Sequence, residues 1–207
     1  YFDASGVPTF IRDGFASSRM KYDARGLRTE QTWHDANGNG VVRPGNYAGE
    51  RRAYDRHGRL IETTSLDIAG NPTKRSGGYV TVRYRRDEAG RIFETAYLDE
   101  QGKPAKAAEG YAVERLVYDV RGLPLTFSYE DAEGKAVARA GGFAKHTVAY
   151  DERGNPVAKA WFGVDGRAAF GPNGSASEKL RYDSADRVVA VQLLDAAGNP
   201  TLGSEGY

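Results

Sequence analysis

A Tyr-Asp pair returns along this chain in one register. Tyr22-Asp23, Tyr54-Asp55, Tyr118-Asp119, Tyr150-Asp151 and Tyr182-Asp183 lie 32 residues apart or a multiple of it. The remaining slot, Arg86-Asp87, keeps Asp and loses Tyr. A period of this size, free of insertions, marks one supersecondary unit copied head to tail. Each copy is too small to bury a core alone, so neighbours must stack. Residues 1–207 are therefore read as one continuous array of about six and a half units. Such an array builds a surface or a scaffold, and an enzyme is not expected.

Two four-residue signals recur along the units. The first turn appears as Asp3/Gly6, Asp35/Gly38, Asp67/Gly70, Asp99/Gly102, Asp131/Gly134 and Asp195/Gly198. The second appears as Asp23/Gly26, Asp55/Gly58, Asp87/Gly90, Asp119/Gly122 and Asp151/Gly154. Asp followed three residues later by Gly signals a type I turn: the carboxylate caps the turn and Gly accepts the positive φ that closes it. Between the turns lie strand-like runs such as Arg115-Leu116-Val117-Tyr118 and Leu125-Thr126-Phe127-Ser128-Tyr129. These runs are too short for helices. The fold class read from this pattern is all-β: tandem β-hairpins forming an elongated or spiral antiparallel sheet, solenoid-like.

A four-residue loop at Asp119–Gly122 would set Tyr118 opposite Leu123. The same register pairs Leu116 with Leu125, Val148 with Val157, Leu180 with Val189 and Tyr84 with Phe93. It also sets Arg19 against Glu30, Arg51 against Glu62 and Arg83 against Glu94. Cross-strand pairs of these kinds contribute about 0.2–1 kcal/mol each. Beside each hairpin sits Gly-Tyr-Ala, seen as Gly110-Tyr111-Ala112 and as the variants Gly142-Phe143-Ala144, Asn46-Tyr47-Ala48 and Gly14-Phe15-Ala16. A large ring beside a small residue predicts an aromatic wedge between hairpins, each adding roughly 1.5–3 kcal/mol of burial.

Composition narrows the function classes. The net charge of +1, with both signs interleaved, gives no field for nucleic acid. The absence of Cys removes disulfides, thiolate metal sites and Cys nucleophiles. Apolar runs fall far short of the roughly 20 residues that span a bilayer, so no membrane insertion is expected. Tyr1-Phe2 matches Trp161-Phe162 and Gly206-Tyr207 matches Gly110-Tyr111, so a fragment of a longer protein is expected.

The unit's core resembles the YD or Rhs repeat: Tyr-Asp, two variable residues, Gly, often Arg, then a strand. Here it reads Tyr54-Asp55-Arg56-His57-Gly58-Arg59-Leu60 and Tyr150-Asp151-Glu152-Arg153-Gly154-Asn155-Pro156. The alternating 12/20 spacing and the Gly-Tyr-Ala element depart from the usual, shorter Rhs spacing. The resemblance implies a large, exported, surface-associated bacterial protein, in toxin systems a β-sheet shell around a cargo domain. It therefore implies an extracytoplasmic location (secreted, periplasmic or cell surface). A weaker similarity is to choline- and glucan-binding repeats, which also stack aromatic-rich hairpins.

Several residue types in the chain can carry chemistry. His34, His57 and His146 fall at three different repeat positions, with no spacing for metal ligation or a triad. Asp35-Ala36-Asn37-Gly38-Asn39-Gly40 resembles the start of a calcium loop. Asp35, Asn37 and Asn39 are thus a calcium candidate, although Asn46 stands at the twelfth position and a plain Asp-Gly turn explains the same residues. The Arg19, Arg51, Arg83, Arg115, Lys179 stripe reads as cross-strand ion pairing or as a polyanion track. The rows Tyr22, Tyr54, Tyr118, Tyr150, Tyr182 and Trp33, Tyr97, Tyr129, Trp161 read as inter-repeat packing or as sugar-stacking platforms. No phosphate loop, nucleophile elbow or zinc helix motif occurs, and no cofactor is expected. The sixth unit is degenerate, with Gly163, Ser175 and Asp186 in place of Asp, an aromatic and Gly. The function expected is a non-catalytic structural or interaction scaffold; the alternative is a module binding cell-wall or exopolysaccharide. The partner, protein or polysaccharide, is not legible.

Overall fold

The computed structural model describes residues 14–204. The turn expected at Asp3/Gly6 and the pairs Tyr1-Phe2 and Gly206-Tyr207 lie outside the described residues. Those described residues are all-β. Six hairpins follow one another: β1 (Ser17–Tyr22) with β2 (Arg28–His34), β3 (Gly49–Tyr54) with β4 (Leu60–Leu66), β5 (Thr81–Arg86) with β6 (Ile92–Leu98), β7 (Val113–Tyr118) with β8 (Pro124–Glu130), β9 (Lys145–Tyr150) with β10 (Pro156–Phe162), and β11 (Ser177–Tyr182) with β12 (Val188–Leu194). They form one open antiparallel sheet whose strand order is sequence order. The chain divides into two compact units. One comprises residues up to 85 with 95–108; the other comprises 86–94 with the residues from 109 onward.

The Asp-x-x-Gly turns form as expected. In each, the Gly N–H donates to the Asp carbonyl and the Asp N–H to the carbonyl four residues on, as in Gly122 to Asp119 and Asp119 to Leu123. Gly122 carries φ +88°, a left-handed conformation that glycine adopts without a Cβ penalty. Asp186 takes the same conformation at φ 60°.

The register differs from the one read off the sequence. Leu116 pairs with Phe127 rather than Leu125, Leu180 with Val191 rather than Val189, and Arg51 with Thr64 rather than Glu62. Two features cause the shift. The loop closes on Asp119 and Leu123, which leaves three residues in the turn, and a bulge beside Tyr118 adds one more on β8. Each advances the pairing by one position. The total slip of two preserves which face each side chain takes, since strand side chains alternate with period two.

The slip takes Arg51 and Arg83 away from the hairpin partners expected for them and gives each a glutamate of the preceding hairpin. Glu30 lies opposite Arg51 and Glu62 opposite Arg83, in adjacent hairpins. Their charged atoms approach to 3.8 Å and 2.9 Å. Arg115 pairs with both Glu94 and Glu130. Lys21, not Arg19, takes the hairpin partner Glu30, at 2.6 Å.

A third turn per repeat connects the hairpins. Arg43, Arg75, Arg139 and Gly171 each donate an N–H to the residue four positions on, at Tyr47, Tyr79, Phe143 and Ser175. The small residue that follows is a pivot. Ala48 N–H donates to Leu66 and its carbonyl accepts from Trp33; Ala144 does the same with Phe162 and Tyr129. Ala48, Ala112 and Ala144 are almost fully buried, so the pivot leaves room for little beyond a methyl group. The rings pack in zigzag rows. In the first unit Phe15, Trp33 and Tyr47 make successive contacts at 6.4 and 5.5 Å, and Tyr79 meets Tyr97 at 4.7 Å. In the second, Tyr111, Tyr129, Phe143 and Trp161 follow at 4.7, 6.1 and 6.5 Å.

Candidate functional site

The Tyr-Asp corner is the repeated site, and its groups bind the protein itself. Tyr54 Oη donates to the Arg28 carbonyl at 2.8 Å, Tyr118 to Ile92 at 2.6 Å, Tyr150 to Pro124 at 3.0 Å and Tyr182 to Pro156 at 3.0 Å. Each acceptor opens the second strand of the preceding hairpin, so the tyrosine clasps one hairpin to the next. Tyr22 belongs to the first described hairpin and stands 58 % exposed, its hydroxyl on Met20 Sδ.

The neighbouring carboxylate caps the turn. Asp55 Oδ1 accepts from the His57 and Arg59 N–H groups, and Oδ2 from Arg59 Nε at 2.7 Å. Burial pulls the Asp55 carboxyl upward, but these hydrogen bonds prevail and hold it at about 2. A second arginine arrangement ties turn to turn. Arg25 bonds its own Asp23 and reaches the Asp55 carbonyl at 2.7 Å; Arg121 bonds Asp119 and reaches Asp151 at 2.8 Å.

Other sequence-selected residues are placed as follows. Trp33 and Trp161 are buried in the ring rows. Asp35 Oδ1 accepts the N–H groups of Asn37 and Asn39, and its other oxygen accepts Asn39 Nδ2 at 3.1 Å. The hydrogen bond from the Asn39 N–H is the leading cause of its lowered pKa. The carboxylate of the calcium candidate is thus engaged as a turn cap. His34 contacts Thr32 and the Gly38 carbonyl, and His57 accepts Arg56 Nε.

Two clusters went unseen in the sequence. In the first unit, a groove of about 410 Å³ is lined by Tyr79, Tyr84, Tyr97, Arg52, Arg75 and Glu50 among others. Arg52 bonds Glu50 at 2.9 Å, and Arg75 lies 4.0 Å over the Tyr47 ring. Arg75 also approaches Glu50, at 3.9 Å. In the second unit, His146 stacks on Phe127 with centroids 4.2 Å apart. Burial, then the charges of Arg139 and Lys159, push its pKa from 6.5 to about 4. Burial also raises the Glu114 carboxyl, against the pull of Arg139. The signal for both clusters is weak in a single sequence, because each draws on several strands.

No family model matches the chain, and no curated protein matches it. Solved structures do. It is similar to a chain in the Photorhabdus luminescens Tc holotoxin pore structure, with 15% identity and a TM-score of 0.41, covering 89% of this chain and 9% of that one. It is also similar to a chain in the crystal structure of TcdB2-TccC3, with 17% identity and a TM-score of 0.44, covering 89% of this chain and 10% of that one. The chain therefore spans about a tenth of the length of either match.

Proposed function

We propose that this chain is a non-catalytic repeat scaffold of an exported or cell-surface bacterial protein, displaying or enclosing another domain. One observation carries the reading: at equivalent positions the tyrosine hydroxyl of the Tyr-Asp corner joins one hairpin to the preceding one, while the Asp carboxylate caps its own turn. The resemblance of the motif to YD repeats points to the same role and to export. Deleting a whole period, residues 49–80, should leave a folded, exported protein, because equivalent strands meet at the new junction. Deleting residues 49–64 should abolish both. Turnover of a small-molecule substrate that depends on one particular repeat would refute the scaffold reading.

A second reading, a saccharide-binding module, draws on the groove in the first unit, where three tyrosines and two arginines meet. A glycan array probed with the intact chain and with Arg52→Ala tests it. Silence across a broad panel retires this reading and leaves the first untouched.

A further inference from the structure

The degenerate sixth repeat brings three groups together: a carboxylate, an amine and a carboxamide. Glu178 on β11 lies opposite Lys159 on β10. Its carboxylate is 3.7 Å from Lys159 Nζ, with the glutamate side chain 6 % exposed. The other carboxylate oxygen accepts Asn173 Nδ2 at 2.6 Å, from the third turn of this repeat. A single buried carboxylate therefore touches both an amine and a carboxamide.

The local sequence explains why this happens here. The turn reads Gly171-Pro172-Asn173-Gly174-Ser175 where the previous repeat has Arg139-Ala140-Gly141-Gly142-Phe143. A Cβ at Gly171 would sit 2.3 Å from Trp161 Cδ2, so the arginine found at positions 43, 75 and 139 has no room here. Ser175 replaces a ring and is fully buried, its hydroxyl without a hydrogen-bond partner among the described residues. With both the arginine and the ring gone, the carboxamide of Asn173 reaches Glu178.

We infer that Lys159 and Asn173 form an intramolecular isopeptide bond, with Glu178 as the proton carrier. The ion pair passes a proton from the Lys159 ammonium to the Glu178 carboxylate. The neutral Nζ attacks Asn173 Cγ, forming the C–N bond and a tetrahedral centre. Glu178 returns that proton to the departing amide nitrogen and takes up the second proton from Nζ; the old C–N bond breaks, and the ammonia leaves with this proton as ammonium, restoring the Glu178 carboxylate. No oxidant or co-reactant is consumed. The cross-link joins β10 to the turn that follows it, in a chain that has no cysteine for a disulfide.

Mass spectrometry of the intact, folded chain tests the inference. The wild type should be lighter than its sequence by one ammonia, about 17 Da. Trypsin should fail to cut after Lys159 and should release one branched peptide carrying both Lys159 and Asn173. Glu178→Gln and the charge-conserving Lys159→Arg should both restore the sequence mass. Asn173-Gly174 can also lose ammonia by closing to a succinimide, which mild base reopens to aspartate or isoaspartate; the isopeptide survives that treatment. A folded wild type at the sequence mass overturns the inference, as does a base-labile loss or a loss that persists in Lys159→Arg.

Discussion

The turns Arg139–Phe143 and Gly171–Ser175 occupy the same place in successive repeats and close through the same pair of backbone bonds. Their side chains are otherwise unlike. In the first, Arg139 lies 5.6 Å from the Phe143 ring centroid and 5.3 Å from that of Tyr129, and it bonds Glu109 at 2.9 Å. In the second there is neither arginine nor ring, and Trp161 covers the bare Gly171 backbone while Asn173 bonds Glu178. The backbone path is thus fixed by the turn and the alanine pivot that follows it. The filling above it is exchangeable, provided that something occupies the volume.

Truncating the fillings tests that division most severely. Phe143→Ala should cost about 3–5 kcal/mol, because the ring is buried between Tyr129 and Trp161. Ser175→Ala should be neutral or slightly stabilising, since it removes a buried hydroxyl that has no partner among the described residues. Urea melts of the two variants measure the gap; equal losses would mean the turns are not alternatives.

Gly171→Ala should cost about 1–3 kcal/mol through the clash with Trp161. Arg139→Ala, at the equivalent position of the complete turn, makes no such clash, because a Cβ is already accommodated there, and comparing the two melting temperatures sharpens the contrast. Smaller again is the clasp. Tyr150→Phe should lose about 0.5–1.5 kcal/mol, and the Pro124 carbonyl then loses its hydroxyl donor.

Acid should separate the regions by mechanism. His146 is held neutral in the fold, so the unfolded chain binds the proton first. Stability therefore falls as pH drops from about 6.5 to about 4. Asp55 is depressed to about 2, so its contribution is present above its ordinary value near 3.8 and lost as pH falls towards 2. Urea midpoints at several pH values should decline in both windows in the wild type. His146→Gln should flatten only the first.

The period, the all-β class, the Asp-Gly turns and the ring wedges were legible because each recurs with its own chemistry. The register was missed by two positions. Gly122 and Gly154 showed where the turns close, but nothing in the letters marks the bulge beside Tyr118 and Tyr150. Since a slip of two keeps every face, apolar partners still looked plausible, and the glutamate partners of Arg51 and Arg83 were placed within hairpins instead of between them. The third turn carried a readable signal in Gly77-Gly78 and Gly141-Gly142, with Gly78 at φ +93° and Gly142 at φ +88°. The groove and the Lys159–Glu178–Asn173 cluster needed coordinates, because each is assembled from several strands and turns whose pairing the letters do not state.

The account stands on the pairing of one hairpin with the next, and the cysteine-free chain offers a clean probe of it. Thr126 and Thr147 are direct partners across β8 and β9. Cysteines placed at these two positions should oxidise rapidly to an intramolecular disulfide in the folded monomer, because paired residues on adjacent strands lie within disulfide reach. Efficient cross-linking of cysteines at Ser128 and Thr147, with none at Thr126 and Thr147, would contradict it.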